Sequence, residues 1–169
     1  MNAPANRRFV FRLATMVNTR LIGLEHLIPW ADAWVLKLEA PPLWLLELCT
    51  TQDLHAARGL LLRAACHPTD PFGRDEQDAE HLACLFVRYR QGALSWAAFL
   101  EEGGRYLDGA NGSRTCEELY SLLNALEQQG HAQNMERAQS TEIERSLRGA
   151  LQQVESVYRL LAAMTRTGG

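Results

Sequence analysis

The sequence predicts an all-α fold, one compact domain of about six or seven helices spanning residues 1–169, with 166–169 as a loose tail. Three observations carry this. Apolar residues recur at helical spacing along nearly the whole chain. Proline, glycine and capping residues fall where helices start and stop. The length of 169 residues and the 47% hydrophobic content are those of one ordinary globular domain.

Residues 5–22 place Phe9, Leu13, Met16 and Val17 on one helical face, although Phe9 to Leu13 also alternates as a short strand would. Pro29 suits the first turn of a helix from Trp30 to Leu38, because the donor it lacks would be unpaired there anyway. Pro41-Pro42 stops that helix and opens a short, apolar one from Leu43 to Cys49. Thr50 with Asp53 predicts a capped start for a helix running to about Cys66. Pro68, Pro71 and Gly73 mark a loop. The acidic run Asp75-Glu76-Gln77-Asp78 then opens a helix carrying Leu82, Leu85, Phe86 and Tyr89, and Gly92 ends it.

Ser95 caps a helix from Trp96 to Tyr106 that Gly103-Gly104 should loosen near its end. Residues from Asp108 to Arg114 read as loop. Thr115 and Glu118 form a capping box before Leu119, Leu122, Leu123 and Leu126. Gly130 ends this element, and the polar stretch from His131 to Ser140 reads as either loop or weak helix. Thr141 to Met164 is the clearest helix, with Leu147, Leu151, Val154, Tyr158 and Leu161 at alternating steps of four and three. Glu144/Arg148 and Glu155/Arg159 support it as acid-before-base pairs.

The net charge of −3 and scattered arginines argue against a nucleic-acid binder. No apolar stretch approaches the ~20 residues needed to span a bilayer. Arg7-Arg8 before Phe9-Val10-Phe11 faintly resembles a twin-arginine export signal, but Arg12 breaks the apolar run, so a cytoplasmic protein is expected. Of Cys49, Cys66, Cys84 and Cys116, three fall within apolar helical patterns, so reduced core thiols are expected.

Cys66-His67 and His81-x-x-Cys84 hold the donors of a tetrahedral zinc site. The first pair is adjacent in sequence, however, and adjacent side chains do not easily converge on one ion. The plainer reading is two buried thiols with two surface or loop histidines. His26, His55 and His131 stand isolated, and no serine sits in a nucleophile motif. The expectation is therefore no catalytic residue, no metal and no cofactor. Trp30 and Trp34 lie one turn apart and Trp44 follows across the double proline; such a cluster is core or interface more often than a ligand grip.

The runs LIPWADAWVLKLEAPPLWLLELCTT and SWAAFLEEGGRYLDG…CEELYSLLNALE resemble small helical bacterial immunity proteins of polymorphic toxin systems. The resemblance covers Leu27 to Leu126 and lies in short Pro-bounded helices, a Trp-rich start and an acidic face, with no defining motif. It implies a cytoplasmic, non-enzymatic protein that blocks the active site of a cognate toxin, and it transfers no site residue. Asp75, Glu76, Asp78 and Glu80, with Glu101 and Glu102, are read as an anionic contact face for a toxin with a basic cleft, giving fast, salt-sensitive association. Two other classes remain open: a small metal-dependent enzyme or regulator built on the Cys/His hairpin, and an effector chaperone or adaptor.

Overall fold

In the computed structural model residues 3–66, 73–109 and 115–166 are described, and they form eight α-helices with no strand among them. These are α1 (Arg7–Asn18), α2 (Leu24–Val35), α3 (Leu43–Thr50), α4 (Leu54–Ala65), α5 (Arg74–Arg90), α6 (Trp96–Asp108), α7 (Cys116–Gln128) and α8 (Gln133–Arg166). The chain's contacts group into two compact units, Met1–Pro71 with Val154–Gly169, and Phe72–Gln153.

In the first unit α1 packs on α4, α2 on α3, and α3 on α4. Asn6 caps α1 by accepting the Phe9 amide at 3.1 Å. The predicted face of α1 is buried, Leu13 and Met16 completely so. The start of α2 lies earlier than Pro29 suggests. Gly23 is its N-cap, and Pro29 sits inside the helix, where its ring removes one backbone donor without ending the element. Likewise α3 continues through Thr50, and Asp53 itself caps α4, accepting the amides of His55 and Ala56.

In the second unit α5 packs on α6 and α6 on α7. Ser95 caps α6 through the Ala98 amide, as its position predicts. Phe86, Trp96 and Phe99 form an aromatic cluster: Trp96 stacks on Phe99 at 4.7 Å, and Phe86 meets both edge-on. Each such pair contributes about 0.5–1.5 kcal/mol beyond the area it buries. Thr115 stands at the N-cap of α7, but its side chain makes no capping hydrogen bond.

The polar stretch after His131 is helical from Gln133 onward, and long-range polar contacts hold it there. Gln139, 4% exposed, accepts from Trp96 Nε1 at 2.8 Å and donates to the Leu122 carbonyl at 2.9 Å. The Tyr89 hydroxyl donates to Glu136 at 2.7 Å. The turn between α7 and α8 takes two consecutive left-handed residues, Gly130 (φ 60°) and His131 (φ 58°). Further along α8, Leu147, Leu151, Val154 and Leu161 are all buried, as their spacing predicts.

Gly103 and Gly104 do not loosen α6, which continues to Asp108. Both are buried. A Cβ on Gly104 would lie 2.7 Å from the Tyr120 ring, and one on Gly103 would lie 2.8 Å from Leu119. The pair lets α7 approach α6 closely. Gly149 on α8 has nothing within 4 Å of its virtual Cβ. Gly149→Ala should therefore stabilise the protein by about 0.5–1 kcal/mol through helix propensity alone. Gly104→Val should destabilise it by about 1–3 kcal/mol, because the aromatic ring cannot yield as a flexible side chain does. Urea unfolding midpoints of the two variants should move in opposite directions from the parent, and a Gly104→Val midpoint at or above the parental value would remove the close-approach account.

Candidate functional site

The acidic residues read from the sequence do not form one exposed face. Asp75 and Glu76 are exposed at the start of α5. Asp78 is 0% and Glu80 5% exposed, so neither carboxylate is available to a partner. The cause is the helix itself: α5 is buried on nearly all sides from Glu80 to Val87, and Asp78 lies one turn before Leu82 on the stripe that continues to Phe86. Glu101 pairs with Arg105, and Glu102 pairs with Arg88 at 3.4 Å. That last pair places Glu102 beside the C-terminal part of α5. Glu76 lies twelve residues before Arg88 on that helix, about 18 Å away along the axis at 1.5 Å per residue. Two separate, partly neutralised spots result.

Around the buried Asp78 lies a polar cluster. His81 stacks flat on Tyr106, with ring centroids 3.6 Å apart and planes within 4°. Arg74 Nε is 3.9 Å from the Asp78 carboxylate. Burial pushes the His81 imidazole down to about 4, so it is neutral at physiological pH. Burial and then the neighbouring Asp78 charge push the Tyr106 phenol up to about 12. His81 is thus a core residue, not the surface or loop histidine expected from sequence.

The cysteines are free, and only Cys84 of the four is buried; Cys66 is exposed. Burial, then hydrogen bonding and charge from Asp32, push the Cys49 thiol up to about 11. It donates to the Leu45 carbonyl at 3.2 Å. His67 lies outside the described residues. Among the described residues no three His, Cys, Asp or Glu side chains gather at metal-binding spacing. No helix among them is long and apolar enough to cross a membrane.

A different surface stands out in the first unit, where Pro41-Pro42 separates α2 from α3. Helix α2 ends in turns in which Lys37 and Leu38 amides donate to the Trp34 carbonyl. The chain re-enters helix at Leu43, after Pro42 in extended conformation (φ −65°, ψ 147°). Inside this elbow Trp30, 1% exposed, meets Phe9 at 5.6 Å and Trp44 at 6.5 Å. Its indole N–H is buried with no acceptor among the described residues, so stacking and burial hold the ring.

Outside the elbow, Leu36 is 87% exposed, Leu43 70% and Leu46 40%. Beside them lies a cavity of about 420 Å³, with walls that include Trp34, Trp44, Leu38, Pro4 and Pro42. Among the described residues Arg7 is the one charged residue in its lining. Lys37 Nζ sits 5.4 Å from the centre of the Trp34 ring, in cation–π range. The spaced tryptophans are a sequence signal for this place. The outward leucines of α3, Leu43 and Leu46, have none, because the hydrophobicity of α3 runs almost all round the helix.

The buried imidazole makes stability depend on pH. The folded-state value near 4 lies below the ordinary 6.5, so the unfolded chain binds the proton more readily. Stability is then full above pH 6.5 and falls as the pH drops toward 4. Between about pH 7 and pH 4.5 His81 should account for a loss on the order of 2 kcal/mol. His81→Phe keeps a flat ring against Tyr106 and should flatten that fall in urea titrations. An unchanged slope would mean that other groups carry the acid sensitivity.

Comparison of the chain with family models, with curated proteins and with solved structures gives no match.

Proposed function

We propose that the chain is a non-enzymatic protein-binding module, an immunity protein of the kind its sequence resembles, and that it grips its partner with the α2–α3 elbow. One observation carries the reading: among the described residues the exposed large hydrophobic side chains, Leu36, Leu43 and Leu46, all belong to this elbow. Single exposed leucines are ordinary on any surface. Three within eleven residues, beside half-buried Trp34 and Trp44, match the apolar and aromatic core of a protein interface. Covering one such leucine contributes about 1.5–3 kcal/mol. The contact is chiefly apolar, so its strength depends only weakly on salt.

The test uses the full chain and, as probe, the protein encoded by the adjacent gene. The complex should form with nearly equal affinity at low and high salt. Leu36→Asp with Leu43→Asp should weaken it by at least about 100-fold, as the loss of two buried leucines implies. Circular dichroism of the double variant should match the parent, since both side chains are exposed. Inhibition of the partner's activity in the complex separates an immunity protein from an effector chaperone or adaptor. The elbow is the wrong surface if the double variant binds as the parent does while charge reversal at Asp75, Glu76, Glu101 and Glu102 abolishes the complex. Self-association of the chain through the same leucines, with no binding to the probe, would also overturn the reading.

A further inference from the structure

We propose that the cavity beside the elbow is a binding site for a small planar aromatic acid, an aryl carboxylate. Its volume of about 420 Å³ lies within the range of small-molecule sites. Two indoles, Trp34 and Trp44, share the lining, aromatic partners for an arene, and Leu38, Pro4 and Pro42 supply apolar wall. Among the described residues one cation, the Arg7 guanidinium, shares the lining, and no carboxylate does. A guanidinium presents five N–H donors in a planar fork that fits a carboxylate with two parallel hydrogen bonds. Arg7 can therefore hold a ligand while keeping other contacts. A mostly apolar lining with one arginine among its described residues fits a flat ring bearing one negative group better than a neutral arene or a cationic amine.

The lining comes from three parts of the first unit: the segment before and at the start of α1, the elbow, and Ala64 of α4. The packing of α1 and α3 on α4 and of α2 on α3 holds these parts in place. The slot is thus preformed in the described structure, which reduces the ordering cost of binding. Trp34 and Trp44 border both surfaces, and the two readings part at Arg7, which belongs to the cavity lining, and at the outward leucines, which do not.

Isothermal titration of the full chain with 2-naphthoate and with its neutral counterpart 2-naphthalenemethanol tests it. The acid should bind at least about tenfold tighter than the alcohol, the range of one charge-assisted hydrogen-bonded pair. Arg7→Gln should remove that preference by weakening the acid and leaving the alcohol unchanged. Trp34→Ala, at a half-buried position, should weaken both ligands at least about tenfold through lost stacking. Trp44→Ala is a second variant with the same expectation, and circular dichroism establishes that each is folded. Leu36→Asn with Leu43→Asn, which alters the docking leucines without adding charge, should bind the acid as the parent does, which keeps failure of this site distinct from failure of the docking surface. The proposal is overturned if the parent binds neither probe, if acid and alcohol bind equally, or if Arg7→Gln leaves the acid unaffected.

Discussion

The candidate site depends on the backbone constraint at Pro41-Pro42. Proline disfavours the helical region for the residue before it, so Ala40 and Pro41 are pushed toward extended conformations, and neither proline donates a backbone hydrogen bond. The chain must therefore leave α2 and begin α3 afresh at Leu43. That break sets two short helices against each other and puts Trp44 over Trp30. Leu43 and Leu46, three residues apart in α3, lie on one face of that helix. They and Leu36 face solvent.

Much of this is legible in the residues. The spacing of Leu147, Leu151, Val154 and Leu161 marks the inward stripe of α8, and Ser95 marks the start of α6. What escapes the sequence depends on tertiary contacts. The polar stretch after His131 looks too weak for helix because its support comes from Gln139 and Glu136, which bond to residues more than forty positions away in sequence. Pro29 misleads for the opposite reason: a local rule about first turns carries less weight than the packing that starts α2 at Leu24.

Asp78 and Glu80 show where amphipathic reasoning stops. Acids in a first turn complement the helix dipole and usually face water. In α5 the period that places Leu82 and Phe86 inward also places Asp78 inward, one turn earlier. The buried stripe is visible in the sequence, but it begins before its first leucine. Gly103 and Gly104 teach a related point, since residues that weaken an isolated helix become a packing device once Tyr120 and Leu119 stand against them.

The displaced titrations and the exposed leucines are two different consequences of packing. Cys49 and Tyr106 are both shifted toward the protonated, uncharged form, and His81 toward neutral imidazole. An activated thiol or phenol needs the opposite, a neighbouring cation that favours the anion. In each case burial is the largest cause, and the nearby carboxylate, Asp32 or Asp78, pushes the same way for the two acids. Shifts of that sort follow from packing polar side chains into a core, and they quiet these groups. The apolar elbow differs in kind: its leucines make little contribution to the fold while exposed, and gain their full hydrophobic contribution when something covers them. That asymmetry sets groups held in their uncharged forms against apolar area that gains from being covered.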